Sequence, residues 1–286
     1  MVYFCYKLNA MFMGVIVGSG KSSGVKIFTN DNKSGSLIFA FHGTPLTEIA
    51  AESLQKIETG TPTKRRVYMP YTNQSTAAMS HKRLVKEMDK YYQLTKKDLL
   101  EARTIDVVAH SYGPVKALAF LHAIAKDKEN APKILAKVEN LHLYNGMINM
   151  EWDSSHTFIH NIKLFIFRIR IFFASLLRGE GNYETPDVVK SLIDLKSDVF
   201  KPTIFIAYNP EDLLVPSSET FMEKVRGNIH LNGIECVVKD DSNLVEYNGI
   251  RQHGTGTGLV RRFEEIEQKL DLRRKGEALN IHGARI

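Results

Sequence analysis

The chain has 286 residues, 43% of them hydrophobic and 24% charged, which suits one large globular domain with a cap or two small domains. Its net charge of +6 comes from dispersed basic residues. The densest clusters, Lys64-Arg65-Arg66 and Arg273-Arg274-Lys275, have no interleaved aromatic stripe, which argues against nucleic acid and leaves an anionic membrane surface as a partner to weigh.

Cys5 and Cys236 are the two cysteines, and neither has a CxxC or metal-ligand spacing. That argues against a disulfide framework and points to a reducing compartment. Residues 10–18 form an apolar run preceded by Lys7. The run is too short to span a bilayer, and no small-residue cleavage site follows it. It reads as a strand, with a cytoplasmic location as the default and secretion left open. Gly14 to Gly20-Lys21-Ser22 resembles a phosphate loop, but five residues separate the glycines where the motif needs four. Gly18, Gly20 and Gly24 miss the dinucleotide spacing too, so 18–24 reads as a turn.

Residues 14–17 and 25–29 read as strands, and 30–35 as a turn cluster. Ser36-Leu37-Ile38-Phe39-Ala40-Phe41 is an apolar strand that ends in His42-Gly43-Thr44-Pro45. A helix is expected at 47–57, a strand at 67–70, and a long charged helix at 80–102. The inner stripe of that long helix is Leu84, Met88, Tyr91 and either Leu94 or Thr95. Thr104-Ile105-Asp106-Val107-Val108-Ala109 is the next strand. It stops at His110-Ser111-Tyr112-Gly113-Pro114, and an Ala- and Leu-rich helix follows at 115–125. A serine between small residues, at a strand-to-helix turn, is the pattern of a nucleophile elbow. Ala109 and Gly113 are small because strand and helix pass close together there, and Pro114 sits where a missing N–H costs little.

Strands follow at 140–144, 202–208 and 234–238, and a closing helix at 259–274. Strands alternating with helices predict an α/β fold with a mostly parallel central sheet and helices on both faces. Between 151 and 200 the alternation breaks. Residues 162–178 are densely apolar and hold Lys163, Arg168, Arg170 and Arg178. Arg168 and Arg170 argue against a transmembrane span. The stretch reads either as a buried helix packed over the sheet or as a lid that lines an acyl pocket and touches a membrane surface. His156 and His160 lie one helical turn apart, but no third ligand is evident, so no metal site is expected.

The Ala109-His110-Ser111-Tyr112-Gly113 elbow, His42-Gly43 after an apolar strand, and Asp212 followed by Val215-Pro216 together resemble the α/β-hydrolase superfamily, in its serine esterase and lipase-like branch. The resemblance implies a Ser111, Asp212, His253 triad in that chain order. Glu211 is the second choice of acid and Asp153 the third. His253 is preferred as base because His230 precedes the last strand and His282 lies in the tail. The resemblance also implies an oxyanion hole built from the backbone amides of Thr44 and Tyr112, with His42 and Gly43 shaping the substrate loop. No metal or organic cofactor is implied. The expected substrate is a small-molecule ester or lipid with a hydrophobic acyl group. A thioesterase or acyltransferase on the same triad, and a non-catalytic hydrophobic-ligand or membrane-binding protein of the same fold, are the alternatives; the oligomeric state is left open. The division expected is a core of 1–150 and 201–275, a helical cap at 151–200 and a tail at 276–286.

Overall fold

The computed structural model describes residues 26–29, 35–41, 65–71, 81–144, 146, 148, 154, 157–159, 161–162, 165–166, 169, 187–210 and 218–240. Apolar residues with β-branched or aromatic side chains build the strands: β1 (Lys26–Thr29), β2 (Ser36–Phe41), β3 (Arg66–Tyr71), β4 (Thr104–His110), β5 (Val138–Tyr144), β6 (Thr203–Tyr208) and β7 (Cys236–Asp240). Helices α1 (His81–Glu101), α2 (Gly113–Ala125), α3 (Ala131–Leu135), α4 (Val188–Leu195) and α5 (Glu219–Leu231) alternate with them. The strands form one sheet in the order β1-β3-β2-β4-β5-β6-β7. Only the edge pairing of β1 with β3 is antiparallel, and every other neighbour is parallel. The mostly parallel sheet expected from the alternation is therefore present.

All six residues of β2 are buried, so both of its faces are covered, as a central parallel strand requires. On one face, Phe39 and Phe41 meet Tyr91 of α1 and Phe120 of α2. Phe39 and Phe120 lie 5.0 Å apart between ring centroids, and Tyr91 and Phe120 also 5.0 Å. Tyr68 of β3 stacks on Phe39 at 5.1 Å. This aromatic cluster joins two helices to two strands through rings that are almost wholly buried.

The stripe of α1 runs Leu84, Met88, Tyr91, Thr95 and Leu99, all buried. Thr95 rather than Leu94 takes the inner position. Its hydroxyl donates to the Tyr91 carbonyl at 2.9 Å, which satisfies it, while Leu94 faces solvent. α4 and α5 were not separately expected. Each begins at a side-chain cap: Asp187 accepts from the Lys190 amide at 3.0 Å, and Ser218 from the Phe221 amide at 3.2 Å. α5 ends at Gly233, whose φ of +68° lets Ile234 donate back to the Ile229 carbonyl. That closure takes the Ile234 amide, and β7 starts at Cys236, two residues later than the apolar run suggested. Cys236 is buried, and burial pushes its thiol up to about 12.

Between β5 and α4 the chain makes its long excursion. The Val188 amide donates to the Ile148 carbonyl at 3.1 Å, so the excursion leaves and re-enters at one point. Val188, Leu192 and Leu195 of α4 belong to the main hydrophobic core. Within the excursion, the described residues of the apolar stretch do not form a buried helix. Helical residues Ile162, Phe165, Ile166 and Ile169 are exposed, as are Phe158 and Ile159 just before them. The buried-helix reading of 162–178 is thus corrected at its described positions. Their apolar side chains face outward, where the core cannot use them.

Candidate active site

The order of strands sets where a site can form. From β2 the chain moves outward to β3, returns to β4 beside β2, and then steps the other way through β5, β6 and β7. The connections after β2 and β4 therefore diverge. In an open parallel sheet that divergence opens a crevice at the carboxyl ends of the two strands. Ser111 is the first residue past the carboxyl end of β4, at this switch point.

Ser111 has φ of +60°, the only positive value at a non-glycine among the described residues. Such a conformation costs about 1–3 kcal/mol and persists only when its surroundings impose it. Here they do. The Ser111 amide donates to the Tyr144 carbonyl at the end of β5, at 3.1 Å. Tyr112 then serves as N-cap of α2 with φ −76° and ψ −6°, and Pro114 falls in the first turn. The residue itself is buried, at 8% exposure.

The crowding at the elbow explains its small residues. A Cβ placed on Gly113 would lie 2.0 Å from the Phe41 carbonyl oxygen and 3.3 Å from the Ala109 Cβ. Gly113 is therefore sterically obligatory, and Ala109 already fills the space left to it. The same contact shows that β2 ends directly against the start of α2. A second glycine matters that the motif does not mark. A Cβ on Gly146 would lie 2.6 Å from Cγ of Pro114, so the segment leaving β5 crosses the first turn of α2 with no room for a side chain.

Because β6 and β7 run parallel to β4, the loops that leave them start at the sheet edge that carries Ser111. Asp212 follows β6 by four residues, and His253 follows β7 in the chain. Asp212 and His253 lie outside the described residues, as do His42, Gly43, Thr44, Glu211, Asp153, His156 and His160. So do the helices expected at 47–57 and 259–274. Of the expected site, the described residues hold Ser111 and Tyr112. His230 is described and sits near the end of α5, where the chain turns into β7 at the opposite sheet edge from Ser111.

No family model and no curated protein matches the chain. Among solved structures it is similar to a hormone-sensitive lipase from a metagenome library, at 12% identity and a TM-score of 0.51, over 93% of this chain and 92% of that one. It is also similar to an esterase, Est2, from the Planctomycetes species Thermogutta terrifontis, at 13% identity and a TM-score of 0.50, over 91% and 90% of the two chains. This chain has the α/β-hydrolase fold.

Two buried polar groups of the core fall outside the expected set of site residues. Asp106, early in β4, is fully buried, pairs with Arg65 and accepts from the Asn140 side chain at 2.7 Å. It ties β4 to the residue before β3 and to β5, at the opposite end of the strands from Ser111. Lys116, in the first turns of α2, is buried, and burial pulls its ammonium down to about 7 against a smaller opposing pull from Glu87 of α1. Burial in turn raises the Glu87 carboxyl. Among the described residues no group of three or more His, Cys, Asp or Glu could hold a metal ion, and no helix is long and apolar enough to cross a membrane.

Proposed function

We propose that this protein is a serine hydrolase that cleaves carboxylic esters with a hydrophobic acyl group, using Ser111 as nucleophile, His253 as base and Asp212 as the residue that orients the base. The observation that carries this reading is the backbone of Ser111. A buried serine is held at φ +60° between a central parallel strand and a helix N-terminus, at the switch point of the sheet. Strain at one residue, imposed by a hydrogen bond behind it and a steric contact beside it, has no evident use in stability.

The chemistry follows from that placement. A serine hydroxyl is a weak nucleophile at neutral pH and needs a base to take its proton as it attacks the ester carbonyl. His253 takes that proton and later gives it to the departing alcohol, while Asp212 holds the imidazole in the right tautomer. The oxyanion is met by the backbone amides of Tyr112 and Thr44, each worth about 3–4 kcal/mol in the transition state. Tyr112 adds the positive end of the α2 dipole, because its amide stands at the helix N-terminus. Water then releases the acyl group from Ser111.

Labelling with a fluorophosphonate probe tests the assignment on wild type, Ser111→Ala and His253→Ala. The expected result is labelling of wild type that disappears in both variants. Labelling that survives in His253→Ala would move the base elsewhere. A folded wild type that takes no label would overturn the proposal. A p-nitrophenyl ester series of rising chain length then reads the acyl preference.

A further inference from the structure

Six described apolar residues of the excursion are exposed. Phe158, Ile159, Ile162, Phe165, Ile166 and Ile169 are all helical and all between 37% and 69% exposed. Their spacing is i, i+1, i+4, i+7, i+8 and i+11, which at 100° per residue confines them to an arc of about 120°. One helical stripe, made only of Phe and Ile, faces away from the body of the protein. Asn161, just outside the arc, is buried at 3% exposure. Among the described residues of this stretch, six Phe and Ile side chains face outward and one amide, Asn161, faces inward.

Charge says what covers it. From residue 154 to residue 179 the sequence holds Lys163, Arg168, Arg170 and Arg178 and no Asp or Glu. The whole chain carries +6. A second copy of this chain would bring two such basic stretches together on an already basic protein, and like charges so placed repel. A bilayer with anionic headgroups offers what the segment lacks on both counts, an apolar layer for the Phe and Ile side chains and negative charge for the Lys and Arg. Topology adds a use for the contact. The excursion begins past the carboxyl end of β5, and the Tyr144 carbonyl there holds the Ser111 amide at 3.1 Å.

We propose that the stripe at Phe158, Ile159, Ile162, Phe165, Ile166 and Ile169 seats the protein on an anionic lipid bilayer. Docking of this kind does not depend on the triad.

The test is sedimentation of the full-length protein with sucrose-loaded vesicles of phosphatidylcholine, with and without phosphatidylserine, run in the Ser111→Ala background so that no lipid is consumed. Binding is expected to be about tenfold stronger with phosphatidylserine and to weaken as salt is raised. The double variant Phe158→Ser/Phe165→Ser should lose about tenfold in partitioning while its circular dichroism and melting stay unchanged, because both positions are exposed. Equal binding to both vesicle types, no binding, or binding indifferent to the double substitution would each overturn the proposal. A dimer in sedimentation velocity that the double variant dissolves would assign the stripe to a second copy instead. Failure of the fluorophosphonate assay would leave this result standing, since the vesicle measurement uses no catalysis.

Discussion

The elbow and the excursion are built from the same kinds of residue and use them in opposite ways. Around Ser111, every residue of α2 from Gly113 to Leu121 is buried, and the local spacing is set to fractions of an ångström by Gly113, Ala109 and Phe41. Between Phe158 and Ile169, the described Phe and Ile side chains lie half open to solvent. Burial is what makes the first region rigid enough to hold a serine at positive φ. Exposure is what makes the second available to a partner. Apolar content alone does not separate them; what the neighbouring chain does with it decides.

The contrast can be broken by substitution, beginning with the harshest. Gly113→Ala puts a methyl 2.0 Å from the Phe41 carbonyl oxygen, so β2 or α2 must move. The expected loss is about 4 kcal/mol or more, read as the shift of a urea unfolding midpoint. A near-neutral Gly113→Ala would mean that the elbow is looser than its contacts say.

Paired truncations compare the regions directly. Phe120, at 1% exposure, sits among Phe39, Phe41 and Tyr91, and Phe120→Ala should cost about 3–5 kcal/mol. Phe165, at 56% exposure, should lose less than about 0.5 kcal/mol on the same change. Similar losses in the two denaturation curves would show that the excursion is packed like the core, and the comparison would fall.

The smallest effect sharpens the account of α2 itself. Lys116 has its ammonium lowered to about 7 by burial, from an ordinary value of 10.5. Between those values the unfolded chain binds a proton that the folded chain does not, so stability rises with pH across the window. Lys116→Met removes the cost of the buried cation. It should stabilise the protein by about 1 kcal/mol or more at pH 7, and by progressively less towards pH 10. Melting temperatures of both proteins over that range check the sign. An advantage that grows with pH would refute it.

Much of the fold is legible in the sequence. β2, β4 and β6 stand where their apolar runs predict, because a strand buried on both faces leaves an almost continuous hydrophobic signature. α5 was not read, although Ser218 and Gly233 mark its two ends, since its apolar positions are sparse among charged ones. β7 starts late because Ile234, apolar and read as a strand residue, spends its amide on closing α5. The strained turn at Ser111 is legible because its constraint is local: strand, turn, small residues and helix all fall within a few positions. Gly146 was not, since its reason lies in Pro114, 32 positions away in the chain. The outward stripe is legible only as one of two readings, because a spacing shows that a helix has an apolar side and leaves open which way that side turns.

The hydrogen bond between Val188 and Ile148 has an evolutionary meaning as well as a structural one. A segment whose two ends touch can change length or composition at little entropic cost to the rest of the chain. The residues between these two positions are in that sense an exchangeable part, free to be rewritten for a new surface or substrate while the strand, the serine and the helix behind them stay where they are.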